Sequence, residues 1–66
     1  MDITINNNKR TVATATTLTQ LLQQMKLDIT RIAVEYNGDI LSREQITAIT
    51  LNQGDQLEIV SFVGGG

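Results

Sequence analysis

Only one stretch of this chain repeats its apolar residues at the helical period, and that narrows the fold more than any other feature. Leu18, Leu21, Leu22 and Met25 recur at i, i+3, i+4 and i+7, which draws one stripe along one helix. Thr17 precedes the stripe and Gln20 lies three residues on, the spacing of a capping box. Lys26 stands near the C-terminal end, where a cation meets the negative pole of the helix dipole. The outer positions Thr19, Gln20, Gln23 and Gln24 are polar and uncharged. A Leu/Met stripe at this spacing is a core face. A lone helix with one apolar face needs a second layer to cover it.

The rest of the chain supplies that layer as strands. Met1, Ile3 and Ile5 alternate with Asp2 and Thr4, the period of a half-buried strand. Asn6-Asn7-Asn8-Lys9 reads as a turn, because Asn tolerates the left-handed region; a polar binding loop is the less economical reading. Arg10 to Thr14 is expected to return as the second strand. After the helix, Leu27 and Ile29 lead into a strand over Arg31 to Tyr36. Ile32, Val34 and Tyr36 share one face of it, and Arg31, Ala33 and Glu35 the other. Asn37-Gly38 is a strong hairpin signal, since both central residues of a type I′ turn need positive φ. Asp39-Ile40-Leu41 therefore predicts a short returning strand.

Ser42 to Ile46 predicts a single helical turn, with Ser42 as cap and Gln45 at the third position. Ile49 and Leu51 are expected to be buried against it, and Asn52-Gln53-Gly54-Asp55 to turn the chain. The last strand is expected from Gln56 to Val63. Leu57 and Ile59 face one way; Glu58, Val60 and Phe62 face the other. A hairpin, a crossover helix and a final strand able to lie parallel beside the first predict an α+β fold. It is a mixed sheet of four to five strands packed on one helix, with the topology of a β-grasp. Residues 1–63 form the expected domain, and 64–66 a flexible glycine tail.

Sixty-six residues give a small core with little stability in reserve. The chain has no Cys and no His, so neither a disulfide nor the commonest metal ligand and general base is available. No bound metal or cofactor is expected. Five Lys plus Arg against seven Asp plus Glu leave a net charge of −2, which argues against nucleic acid as the main partner. One Phe, one Tyr and no Trp offer no stacking surface for single strands. No apolar run approaches the ~20 residues of a membrane helix, and the N-terminus lacks the basic-then-apolar pattern of an export signal. A cytoplasmic protein, monomeric when free, is the expectation.

With nothing written after Gly66, Gly64-Gly65-Gly66 is expected to be a loose arm, since residues without a Cβ lose the most entropy on ordering. It would carry an ionised α-carboxylate at its tip, slim enough to thread into a narrow site on another protein. The bland reading is a frayed end. Val60 and Phe62, outward-facing beside that tail, are candidate docking residues. Their alternative is cover by a loop or packing on Ala33.

Four segments together carry a resemblance over essentially the whole chain. They are Thr17-Leu18-Thr19-Gln20-Leu21-Leu22, Ile32-Ala33-Val34-Glu35-Tyr36-Asn37-Gly38, Ile40-Leu41-Ser42-Arg43-Glu44, and Gly54-Asp55-Gln56-Leu57-Glu58-Ile59-Val60 running into Phe62-Val63-Gly64-Gly65-Gly66. In these the chain resembles the ThiS family of sulfur carriers in thiamin thiazole biosynthesis, although many members have Pro where Ser42 stands. The resemblance implies a ubiquitin-like β-grasp and a carrier, not an enzyme. It implies an E1-like (ThiF-type) partner that uses Mg-ATP to adenylate the terminal carboxylate of Gly66. Sulfur then replaces the adenylate to leave a thiocarboxylate, and a thiazole synthase (ThiG-type) accepts the sulfur. Gly64 and Gly65 become the threading residues and Gly66 the attachment point. A carboxylate is a poor acyl donor, and the mixed anhydride supplies the leaving group; without Cys, the sulfur can ride only on the C-terminus. The competing readings are the small subunit of molybdopterin synthase, a ubiquitin-like protein modifier, and a non-covalent interaction module. No clustered acid–base constellation points to an enzyme.

Overall fold

A computed structural model describes residues 1–62. In chain order it places β1 (Asp2–Ile5), β2 (Asn8–Thr11), α1 (Leu18–Gln24), a 3-10 turn (Ile29–Arg31), β3 (Ile32–Tyr36), β4 (Asp39–Ile40), α2 (Arg43–Ala48) and β5 (Gln56–Ser61). The strands form one five-stranded sheet in the order β2-β1-β5-β3-β4. β1 and β5 are parallel, with Ile5 opposite Leu57; every other neighbouring pair is antiparallel. This is the mixed α+β sheet expected of the alternation.

The alternating residues divide as their period requires. Ile3, Ile5, Ile32, Val34, Leu57 and Ile59 turn inward from the sheet and meet Leu18, Leu21 and Leu22 of α1 in one core. Ile46 of α2 and Leu51 complete it, with Met25, Ile49 and Tyr36 packed around the edge. Each fully buried Leu or Ile contributes roughly 1.5–3 kcal/mol over leaving it in water, and with no disulfide such burial must hold the fold.

The caps stand where the sequence puts them. Thr17 accepts from the Gln20 N–H at 3.1 Å, and the Gln20 side chain accepts from the Thr17 N–H at 2.9 Å. Ser42 and Gln45 repeat the reciprocal pair at 3.2 and 2.8 Å. The helical turn expected at Ser42–Ile46 is longer, a helix running to Ala48. Its exit strand pairs with the start of α1: Leu18 N–H donates to Ile49 C=O at 3.0 Å and Leu51 N–H to Thr16 C=O at 2.9 Å.

Several boundaries differ from the expectation, each for a local reason. Asn6 and Asn7 take φ of 50° and 68°, so two residues close the first hairpin. β2 therefore begins at Asn8, and Val12 to Thr14 leave the strand. Lys26 is not in the helix but beyond it at φ 59°. There its N–H donates to Gln23 C=O and that of Leu27 to Leu22 C=O, both at 3.0 Å, the paired bonds of a Schellman end. Arg31 belongs to the 3-10 turn rather than to β3, because Asp28 caps that turn through the Thr30 N–H at 2.9 Å. Leu41 lies past β4, and β5 ends at Ser61.

Asp55, buried, fastens the end of the β3–β5 pair where β3 finishes and β5 begins. It accepts from the Tyr36 hydroxyl at 2.8 Å, the Asn37 side chain at 3.1 Å and the Asn52 N–H at 2.8 Å. Burial first, and then the bond to Asp55, push the Tyr36 phenol above its ordinary value. A raised phenol holds its proton more tightly in the folded state. The stability it contributes is therefore complete below about pH 10 and lost as pH rises through the folded value. Tyr36→Phe should cost about 1 kcal/mol at neutral pH for the lost bond. It should also flatten the part of the alkaline loss that belongs to Tyr36, read from urea midpoints between about pH 9 and about pH 11.

Candidate functional site

The face of the sheet turned away from α1 is set by the same alternation. With Leu57 and Ile59 inward, Glu58 and Val60 of β5 point outward, and Phe62 follows them past the strand end. Val60 stands opposite Ala33 and Glu58 opposite Glu35 on β3, while Ile40 of β4 stands opposite Glu35. Val60 is 60%, Phe62 56% and Ile40 77% exposed. These are the only large apolar side chains so exposed among the described residues, and all belong to one side of the sheet. Neither covering alternative holds: among the described residues no loop lies over Val60 and Phe62, and pairing with Ala33 leaves Val60 in solvent.

The charges on this face are unevenly matched. On the β1–β2 half, Asp2 accepts from the Thr11 hydroxyl at 2.8 Å and lies 3.8 Å from the Lys9 ammonium. The Thr11 bond, then Lys9, hold its carboxyl below the ordinary value. On the β3–β5 half, Glu35 and Glu58 face each other directly, and among the described residues no cation pairs with either. Like charges opposite one another on a sheet are destabilising. The outward face thus combines three exposed apolar side chains with two uncompensated carboxylates.

The end of β5 is held on both flanks. Phe62 N–H donates to Arg31 C=O at 2.7 Å on the β3 side. On the β1 side the Asn6 side chain bonds to both backbone groups of Ile59. Val63, Gly64, Gly65 and Gly66 lie outside the described residues, so the expected threading positions and attachment point have no geometry here. Val60 and Phe62 are placed together as expected. Sequence reasoning passed over Ile40 and the Glu35–Glu58 pair; the Asn37-Gly38 turn and the strand alternation carried that signal, but only the register joins them.

No enzyme-like constellation is assembled among the described residues. They contain no group of three or more acidic side chains able to hold a metal ion. A surface depression of about 270 Å³ is lined by Ile5, Asn6, Asn8, Lys9, Arg10 and Met25, with no carboxylate among them to act as base. No helix is long and apolar enough to cross a membrane.

Because Glu35 and Glu58 repel without a partner, Glu35→Gln should stabilise the free chain by a few tenths of a kcal/mol, roughly 0.2–0.5. The gain should shrink as salt is raised, which urea melts at low and high ionic strength would read.

Comparison with known proteins places this geometry. A family model described as the ThiS family matches residues 3–66. The sulfur carrier protein ThiS of Bacillus subtilis is 38% identical over 50 residues, 76% of either chain. A crystal structure of a thiamine biosynthesis protein (ThiS) from Geobacter metallireducens superposes with a TM-score of 0.83 at 38% identity, over 100% of both chains. A thiazole synthase of Paramagnetospirillum magneticum is 36% identical over all 66 residues, but the chain spans only 20% of that protein's length.

Proposed function

Since the chain belongs to the ThiS family, we propose that it is a sulfur carrier for the thiazole part of thiamin, a protein co-substrate rather than a catalyst. The observation that carries this reading is the family match over residues 3–66, which runs through the three terminal glycines. The B. subtilis relative, named as a sulfur carrier, and the full-length likeness to a thiamine biosynthesis protein support it.

The chemistry proceeds at the carboxylate of Gly66. One of its oxygens attacks the α-phosphorus of ATP in an E1-like, ThiF-type partner, which also holds the Mg²⁺; pyrophosphate leaves and an acyl adenylate remains. Sulfide-level sulfur then attacks the acyl carbon, AMP leaves with the bonding pair, and the terminal group becomes a thiocarboxylate. Gly64 and Gly65 would let this end enter a narrow site, because neither adds a side chain. Val60 and Phe62 would dock on the adenylating partner. The chain itself supplies no general acid or base for these steps; it supplies the acyl group and the surface. The free protein would work in the cytoplasm as a monomer.

The second partner would be a thiazole synthase of the ThiG type. Support comes from the match to one fifth of a thiazole synthase chain. A carrier-like segment joined to the acceptor raises their mutual effective concentration without any new contact.

The experiment is intact mass after incubation with ATP, Mg²⁺, the adenylating partner and a sulfur source. The expected result is a gain equal to sulfur minus oxygen, mapped to Gly66. Conjugates through target lysines would instead make the chain a protein modifier, and no covalent change would leave an interaction module. For docking, Val60→Asp should remain folded, since the side chain is in solvent. It should weaken binding to the adenylating partner by about 2 kcal/mol, as loss of an apolar anchor does. Unchanged affinity in the folded variant would remove Val60 from the interface.

A further inference from the structure

Ile59 sits where β5 outlasts β1. Phe62 N–H donates to Arg31, and Gln56 C=O accepts from Asn37. Alternate residues 56, 58, 60 and 62 thus turn their backbone groups to the β3 side. Leu57 and Ile59 turn theirs to the β1 side. There the parallel ladder ends with Asn6 N–H donating to Leu57 C=O at 2.9 Å. At Asn6 the backbone takes φ 50° and swings away into the hairpin. No backbone of β1 is left to meet Ile59, whose side chain is buried.

The Asn6 side chain fills that place. Ile59 N–H donates to Asn6 Oδ1 at 2.7 Å, and Asn6 Nδ2 donates to Ile59 C=O at 3.1 Å. An amide is the uncharged side chain that offers a donor and an acceptor side by side, as a strand backbone does. Asn is also the residue after Gly that best accepts a left-handed backbone. Both demands meet at this one position.

We propose that Asn6 is a positioning residue, whose amide stands in for the missing strand and fixes the end of β5 that presents Val60 and Phe62. The proposal rests on the carrier reading above for its functional consequence. The opposing account is that Asn6 serves only the turn.

Asn6→Gly separates the two, because Gly keeps the positive φ and removes the amide. Amide exchange at Ile59 and at Phe62 should quicken by about tenfold, the worth of one net hydrogen bond, beyond any change common to the amides of α1. With the adenylating partner, the KM for the carrier should rise roughly three- to tenfold at near-constant kcat, the mark of lost uniform binding. Thr17→Ala is the control. It removes the α1 cap and lowers the folding constant by about tenfold, yet should leave KM where it was.

Wild-type exchange at Ile59 and Phe62 in Asn6→Gly would overturn the proposal without any partner present. So would an unchanged KM, or an equal KM rise in Thr17→Ala, which would assign the effect to general stability. Failure of the wild-type chain to be adenylated would instead strike the carrier reading, and the exchange result would still decide whether Asn6 holds the strand end.

Discussion

β5 is bonded along both edges, and the rest of the molecule follows from that. It pairs in parallel with β1 and antiparallel with β3, so its register is fixed twice. A slip of one residue would carry Leu57 and Ile59 out of the core and Glu58 and Val60 into it. The core would lose two Leu/Ile side chains and gain a carboxylate, a change worth several kcal/mol in a chain with little to spare. The surface pattern is therefore bound to the core pattern. Val60 is exposed because Ile59 beside it is held in the core, and Phe62 continues the same alternation.

Polar side chains then lock the two ends of this strand. At its start Asp55 gathers the Tyr36 hydroxyl, the Asn37 amide and the Asn52 N–H, and Asn37 Oδ1 accepts from the Gln56 N–H at 2.8 Å. At its other end the Asn6 amide meets Ile59. A buried polar group stabilises only when its partners are present. Among the described residues no buried side-chain polar atom is left unpaired. These networks supply the specificity that a small Ile/Leu/Val core leaves open.

Much of this was legible in the sequence, because the fold is written in periods and turns. The 3.6-residue stripe from Leu18 to Met25, the alternation of Ile3 and Ile5, and Asn37-Gly38 each carry a local physical cause. Both capping boxes did as well. The boundaries were less legible wherever the left-handed region was entered without glycine. Asn7, Ala15 and Lys26 all take positive φ; at Lys26 the paired backbone bonds of the helix end hold it there, and nothing in the residue type of Ala or Lys announces it. Lys26 looked like a dipole partner in the sequence and serves as the helix stop in the structure. The site was half legible. Outward alternation gave Val60 and Phe62, but Ile40, Glu35 and Glu58 join them through register, which no local pattern encodes. Asn6 was visible as a turn residue; its bond to a residue 53 positions away was not.

The uneven charge on the outer face bears on which contacts that face can make. Val60 and Phe62, with Ile40 on the same face beyond β3, are exposed apolar side chains of the kind that invite self-association. In a two-fold contact, however, the patch must meet itself. The Glu35–Glu58 pair of one copy would then approach that of the other, and desolvation would sharpen the repulsion. A partner that brings a Lys or Arg to the same place meets the opposite balance. It would relieve a repulsion already present in the free chain as it covers the apolar side chains. The carboxylates that weaken the isolated sheet would thus disfavour a two-fold contact between copies more than a contact with a cationic surface.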